Sequence, residues 1–287
     1  MISKHKYFPY VLVALATLCI SISGPAGRYM NLDPPFVIFV RCVIGFVVLM
    51  GLRILTGKES IRLPLKNKTI IFTSVVMCIH WVLFFYSLKY SNVAIAAVSV
   101  FTYPLQTIVI ESVILKKRIN SFFIIMGLLV CVGVFFLHPV EEVKNTYGLG
   151  IFLGCISGTM LAIRNIYSKV LLLKYSSNST YLSQVFITCI LLIPFSGRES
   201  LVAVIDNLIP LLLLGIVTTT IGHLLMMKSF SYFSASEVGL LISGQPVFAI
   251  IMAYFLLGEE PTWKVIIGAG IVLFAVFSTF LKLNKQK

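Results

Sequence analysis

Charged residues are scarce in this chain. They make up 11% of its 287 positions, whereas apolar residues make up 59%, and soluble domains carry roughly 25% charged residues. A soluble core cannot enclose so many apolar side chains in a chain of this length, so we expect the bilayer to be the solvent. A membrane-spanning helix needs about 20 mostly apolar residues, because the hydrocarbon layer is about 30 Å thick. The composition therefore leaves no room for a soluble domain.

Cysteines are also few, and their spacing does not indicate a site. All six, Cys19, Cys42, Cys78, Cys131, Cys155 and Cys189, fall within apolar segments, whereas a disulfide framework needs loop cysteines in an oxidising compartment. No pair has C-x-x-C spacing, so we predict no metal site. The chain has neither a Walker A sequence nor an ATP-binding domain, and we predict no cofactor.

Ten long apolar segments account for nearly the whole chain, and short connections join them. The first resembles a signal peptide, because Lys4 and Lys6 precede its apolar run. Its length and its partner in the repeat described below favour an uncleaved first helix. The sequence therefore predicts an all-α integral membrane protein with ten transmembrane helices, at residues 8–29, 33–55, 69–89, 93–115, 120–138, 148–170, 179–197, 208–228, 235–257 and 262–282.

Lysine and arginine are distributed unevenly between the two sides of the predicted membrane. With the N-terminus inside, sixteen of the 23 fall in cytoplasmic segments and five in outer segments. Such a bias sets the orientation of a membrane protein, so we expect both termini in the cytoplasm. The net charge of +13 then serves orientation and contact with anionic lipid, and it requires no nucleic-acid partner.

Two stretches of the sequence recur further along the chain. "CISISGPAGR" from Cys19 matches "CISGTMLAIR" from Cys155, at an offset of 136. The stretch "YSLKYSNVAIAAVSVFTYPLQTIVI" from Tyr86 matches a second stretch at an offset of 142, which pairs Pro104 with Pro246. Five spans are an odd number, so the second half enters the membrane from the opposite side. We therefore predict two inverted five-helix repeats, residues 1–142 and 143–287, a construction common in secondary transporters.

These features resemble the drug/metabolite transporter superfamily, EamA type. The resemblance covers the whole chain and rests on the ten spans, on the proline-containing fourth span and on two stretches of sequence. One is "DPPFVIFVR", Asp33 to Arg41, at the entry to the second span, and the other is "GQPVFAIIMAYFLLGEEPTWKVIIGAGIV", Gly244 to Val272. The first half departs from the pattern, with Lys116-Lys117 where the second has Gly258-Glu259.

The resemblance implies transport of small metabolites, amino acids and related compounds, usually outward. It also implies that Arg41 is a general feature of the family. We therefore interpret Arg41 as structural, paired with Asp33 or capping a nearby carbonyl.

Few charged side chains fall within the predicted spans, and each costs about 2.5–3.5 kcal/mol in the hydrocarbon. Arg28 and Arg164 are repeat mates, placed by the inversion near opposite faces. Either they snorkel to the headgroups, or they form a pair of gates, each closing one mouth of a central cavity. Glu111 and Glu237 lie near cytoplasmic helix ends, where we interpret them as interfacial ion-pair partners, with proton coupling as the alternative.

Polar and aromatic side chains near the middle of the membrane are the candidates for substrate binding. His80 is near the midplane beside Trp81 and Phe84, and His223 is one residue from its repeat position. His80 either forms an interhelical hydrogen bond or lines a cavity, where a histidine could also carry a proton.

The two mid-membrane prolines carry polar neighbours. A proline inside a helix frees the carbonyl four residues earlier, and such breaks usually face a cavity or a packed neighbour. Kinked packing explains the prolines alone, and cavity lining also explains the side chains beside them, which are Tyr103, Gln106, Ser243 and Gln245.

These observations predict a secondary transporter that works by alternating access, without a catalytic residue. The resemblance implies that it lies in the bacterial inner membrane and exports a small metabolite. The alternatives are an uncoupled facilitator or an uptake carrier of the same fold. A membrane-embedded enzyme would need histidines and acids grouped at one depth, which the sequence does not show. The expected partners are a small-molecule substrate and the bilayer. The glycines of spans 5 and 10 indicate close helix packing and could also support a homodimer.

Overall fold

The computed structural model of this protein describes residues 6–137 apart from 29, 58, 59, 61, 92, 117 and 119, residues 147–251 apart from 198 and 249, and residues 262–286. Its regular elements within those ranges are all helical. They are α1 (Phe8–Ser21), α2 (Ser23–Arg28), α3 (Pro34–Thr56), α4 (Lys68–Tyr90), α5 (Val93–Val100), α6 (Tyr103–Ile114), α7 (Ser121–Leu137), α8 (Tyr147–Leu171), α9 (Ser177–Leu192), a 3₁₀ turn (Ile193–Phe195), α10 (Leu201–Asp206), α11 (Leu208–Leu212), a π-helix (Leu213–Gly222), α12 (His223–Ser229), α13 (Ala235–Ile242) and α14 (Trp263–Gln286).

Eight helical segments of the described residues are long and apolar enough to cross a bilayer. They correspond to predicted spans 1 to 4, 6 to 8 and 10. The fifth predicted span corresponds to Ser121–Leu137, which has 17 residues, and the residues after it, 138–146, lie outside the described part. The ninth is described only as far as residue 251. The all-helical membrane fold is confirmed, and the count of ten stays a prediction.

The outer surface of the helices is apolar. Large side chains such as Leu55, Val113 and Leu173 are 84%, 73% and 86% exposed. Exposure of so many apolar side chains to water would be unfavourable. Lipid hydrocarbon can surround them, because the backbone hydrogen bonds of a helix are satisfied within the helix. The chain is therefore a multi-pass membrane protein.

Spans 4 and 9 are broken near their middle at matching positions. Helix α5 ends at Val100 and α6 begins at Tyr103, while α13 ends at Ile242 and helical structure resumes at residue 245. The two interruptions are separated by the repeat offset of 142. Pro104 and Pro246 each fall in the first turn after a break, where a missing amide hydrogen costs little. The helices are thus interrupted rather than merely kinked.

The carboxylate of Glu111 connects the end of span 4 to the start of span 9. It accepts hydrogen bonds from the backbone amides of Ala235 and Ser236, at 3.3 and 2.9 Å, and from the Ser236 hydroxyl. A carboxylate at a helix N-terminus satisfies free amides and the helix dipole. The ion-pair interpretation is therefore wrong for Glu111, and equally for Glu237, which forms a capping box with Ser234.

Helices α7 and α14, the last of each half, approach closely through two glycines. A Cβ atom on Gly268 would lie 2.6 Å from the carbonyl oxygen of Gly133 and 2.6 Å from the amide nitrogen of Leu137. This confirms close packing at these two glycines, whereas Gly270 faces open space. Because Gly133 and Gly268 face each other within one chain, they offer no surface to a second copy, and the homodimer stays a prediction.

We predict that Gly268→Ala destabilises the protein by about 1–3 kcal/mol, because backbone atoms must move to admit the new methyl group. The matched control is Gly270→Ala on the same helix, which should leave stability unchanged or raise it slightly, since alanine favours helix. Thermal unfolding of both purified variants in detergent measures the difference. Equal losses of stability in the two variants would contradict the close approach.

Candidate functional site

A line of buried cationic and aromatic side chains crosses the inside of the helix bundle. The Cζ atom of Arg41 lies 4.3 Å from the ring centroid of Trp81, and that ring lies 5.2 Å from the ring of His223. His223 stacks on Tyr181 at 6.3 Å, and the Cζ atom of Arg164 lies 5.7 Å from the Tyr181 ring. All five are more than nine-tenths buried. We call these five residues the central cluster.

Arg41 extends from α3 to the π-helix. Its Nε donates to the Thr219 hydroxyl at 2.8 Å and its Nη2 donates to the Thr218 hydroxyl at 3.2 Å. The predicted pairing with Asp33 or with a carbonyl is therefore wrong. Asp33 is at the start of α3, about 12 Å from Arg41 along the helix axis. The partners of Arg41 are neutral hydroxyls, and its ring contact is with Trp81.

Two glycines bring α3 and the π-helix close enough for this contact. A Cβ atom on Gly45 would lie 2.8 Å from Cγ2 of Thr219, and one on Gly215 would lie 2.5 Å from Cγ2 of Ile44. The Thr220 hydroxyl bonds to the carbonyl of Gly215, five residues earlier, as the wider π spacing requires. Such π segments occur frequently at functional sites, and this one presents consecutive threonines to the cluster.

Arg164 is held by amide side chains inside the protein. The Gln184 Oε1 accepts from its Nε at 3.1 Å and from its Nη2 at 2.7 Å, and the Asn165 Oδ1 accepts from its Nη1 at 3.2 Å. Gln184 in turn donates to the hydroxyls of Thr73 and Ser168. Arg164 is only 1% exposed, so the snorkelling interpretation is wrong for it. The side chain of Arg28 lies outside the described part, and the pair of gates stays a prediction.

The two histidines have different surroundings. The Nδ1 atom of His80 lies 2.9 Å from the Ser157 carbonyl oxygen and 2.8 Å from its hydroxyl, and that hydroxyl donates to the His80 carbonyl. His80 therefore makes the interhelical hydrogen bond that one of the two sequence interpretations describes. The Nδ1 atom of His223 is enclosed and has no hydrogen-bond partner among the described residues.

Two of the predicted residues beside the helix breaks meet at one backbone carbonyl. The hydroxyl of Tyr103 donates to the Gly239 oxygen at 3.1 Å, and the hydroxyl of Ser243 donates to the same oxygen at 2.8 Å. The Tyr103 bond joins the broken spans 4 and 9, whereas the Ser243 bond lies within span 9. The two side chains form a second polar contact, separate from the ring contacts of the central cluster.

The remaining candidate substrate-binding residues lie outside the central cluster. The ring of Phe84 lies 5.7 Å from that of Phe85. Gln106 donates to Thr102 and accepts from Thr159, each at 2.9 Å. Gln245 is half-buried. Of the candidate substrate-binding residues, the structure thus brings only Trp81 and His223 into the central cluster.

Sequence reasoning missed four residues that complete this site: Tyr181, Gln184, Thr218 and Thr219. A signal for the first two exists, because Tyr181, Gln184 and Thr188 are spaced three and four apart and so share one helix face. The run of threonines in an otherwise apolar eighth span is a weaker signal.

The comparison with known families now identifies the chain. The EamA-like transporter family model matches residues 7–138 and again residues 148–281. The chain belongs to the EamA-like transporter family. The predicted resemblance is confirmed, and the double match agrees with a chain built of two repeats.

Individual relatives of this EamA-like chain are named as transporters. The uncharacterized transporter YxxF of Bacillus subtilis is 22% identical over 289 residues, covering 98% of this chain and 92% of the relative. The uncharacterized transporter YdfC of the same organism is 23% identical, covering 88% and 84%. A solved crystal structure of a protein superposes with a TM-score of 0.78 at 14% identity, covering 96% of this chain and 98% of the other. That likeness shows the fold.

We predict that Gln184→Met destabilises the EamA-like protein by about 3 kcal/mol, because methionine keeps the volume but removes two of the hydrogen bonds of a buried guanidinium. The control is Gln106→Met, where no charged group loses a partner and we expect a loss of about 1 kcal/mol. Thermal unfolding in detergent measures both. A smaller loss for Gln184→Met than for Gln106→Met would show that the Arg164 network does not stabilise the fold.

Proposed function

We propose that this EamA-like protein is a secondary transporter of the bacterial inner membrane, which exports a small metabolite, an amino acid or related compound, by alternating access. The central cluster carries this proposal. Arg41 and Trp81 come from the first half of the chain, and Arg164, Tyr181 and His223 from the second. In transporters built of inverted repeats, substrates bind near the bilayer midplane at the interface of the repeats.

Hydrogen bonds between elements at the predicted cytoplasmic ends support a cycle with a closed inner mouth. Glu111 accepts from the start of α13, and Arg53 on α3 donates to the Ser179 hydroxyl on α9 at 3.0 Å. Asn67 donates to the hydroxyl of Tyr175 at 3.3 Å. These bonds must break for a substrate to pass from the cytoplasm. The interruptions of spans 4 and 9 are places where the helices could bend as they do so.

Both halves are helical bundles without a nucleotide motif in the sequence, so we expect transport to use ion or solute gradients. An uncoupled facilitator and an uptake carrier are the competing functions for the same fold. They differ from the proposal in a measurable way, because a facilitator only equilibrates its substrate and an uptake carrier moves it inward.

We predict that the purified protein in proteoliposomes moves an amino acid or related compound, and accumulates it when a proton or sodium gradient is imposed. Radiolabelled solutes and protein-free liposomes provide the measurement and its baseline. Cells that overproduce the protein should release more of the transported solute than cells carrying the empty vector. Equilibration of the solute without accumulation would identify an uncoupled facilitator. Increased uptake by the cells would show that the protein transports inward. No flux above the baseline for any such compound would contradict the proposed substrate class.

A further inference from the structure

The two arginines of the central cluster are buried charges with neutral partners. Arg41 bonds to two threonine hydroxyls, and Arg164 bonds to the amide oxygens of Gln184 and Asn165. A guanidinium stays charged in proteins, and a buried charge is normally paired with an opposite charge. Inside the bundle the protein therefore holds two positive charges that hydroxyls and amides solvate but do not neutralise.

The acidic residues that the structure describes lie elsewhere. None of them is a hydrogen-bond partner of either arginine. They are Asp33, Glu111, Glu199, Asp206 and Glu237. The other five acids lie outside the described residues, and the sequence places all of them in connections between predicted spans. They are Glu59, Glu141, Glu142, Glu259 and Glu260.

His223 provides a second, independent sign of a ligand. Its side chain is 94% buried, since 6% is exposed, and it lies between the Trp81 and Tyr181 rings. Its Nδ1 atom is enclosed and has no hydrogen-bond partner within the described part of the chain. A buried polar atom that lacks a partner carries a desolvation penalty, which a ligand at this point would remove.

We propose that the central cluster binds the carboxylate of the transported solute, with Arg41 and Arg164 as its counter-charges and His223 as a hydrogen-bonding partner. This inference rests on the proposed transport function and names its substrate class. The rings of Trp81 and Tyr181 offer an aromatic surface for the body of the solute. Because no described acid is bonded to the cluster, the site recognises a carboxylate without requiring an ammonium group.

The arginines also lie at different depths. Arg41 is seven residues from the predicted outer end of α3, and Arg164 is seven residues from the predicted cytoplasmic end of α8, so each is about 10 Å from its own face. His223 lies between them in the chain of contacts. An anionic group can therefore be held by one arginine when the site opens outward and by the other when it opens inward.

The test uses Trp81 as a reporter of binding that does not depend on transport. The chain has two tryptophans, and the second, Trp263, is 64% exposed. In a Trp263→Phe background, all tryptophan fluorescence comes from the cluster. Two probes share a phenyl ring and a two-carbon chain and differ in charge: 3-phenylpropanoate is an anion, and phenethylamine is a cation. We expect 3-phenylpropanoate and L-phenylalanine to change the Trp81 emission saturably, and phenethylamine to leave it unchanged.

Variants then separate the charge of the cluster from general damage. Arg41→Gln and Arg164→Gln should each weaken 3-phenylpropanoate binding about tenfold or more, because each removes a charge-assisted contact. Arg41→Lys keeps the charge and should bind better than Arg41→Gln. The control is Arg118→Gln, which removes a positive charge at an exposed position outside the central cluster, and should leave affinity within about twofold.

The possible results distinguish failure of the proposed site from failure of the proposed transport function. A response to phenethylamine and not to 3-phenylpropanoate would overturn the inference. So would no response to either carboxylate, or equal weakening by Arg118→Gln. Carboxylate binding without flux in proteoliposomes would support the site and contradict the transport function. Transport of solutes that lack an anionic group, without any change in Trp81 emission, would support the function and contradict the site.

Discussion

The site depends on the positive charge of two guanidinium groups that are buried in the low-dielectric interior of the bundle. Each would cost about 2.5–3.5 kcal/mol to insert at the centre of a helix in hydrocarbon. Among the residues that the structure describes, the hydrogen-bond partners of Arg41 and Arg164 are all neutral. Hydroxyls and amides satisfy N–H donors, yet they leave the net charge uncancelled. The proposed carboxylate would supply the opposite charge that these partners lack.

The surrounding helices are arranged so that these two charges are held in place. Gly45 and Gly215 let α3 and the π-helix approach until Arg41 reaches the threonines. Gln184 binds Arg164 and is itself fixed by Thr73 and Ser168. The Tyr181 hydroxyl donates to the Thr219 carbonyl at 2.6 Å and so links α9 to the π-helix. The bonds from Arg41 to Thr219 and from Gln184 to Thr73 join the two halves of the chain. Movement of one half relative to the other would therefore change the surroundings of both arginines.

The sequence predicted the helices well because their signals are local. Runs of apolar residues mark the spans, and the paired prolines at an offset of 142 marked both helix breaks. The partners of the buried groups could not be predicted in the same way. Thr219 is 178 residues from Arg41 along the chain, and Glu111 is 125 residues from Ser236. Such contacts depend on which helix faces meet, which the depth of a residue along its own helix does not show. For the same reason the snorkelling interpretation of Arg164 is wrong, since its side chain lies against Gln184 inside the bundle.

The most direct test of the uncancelled charge is to supply the missing carboxylate from the protein itself. Thr218→Asp places an acid beside Nη2 of Arg41, and Thr218→Asn places a neutral group of the same shape there. The account predicts that the Asp variant unfolds at a higher temperature than the Asn variant in detergent, because the arginine is already desolvated and gains a counter-charge. A lower unfolding temperature for Thr218→Asp than for Thr218→Asn would show that Arg41 needs no anion, and would contradict the account.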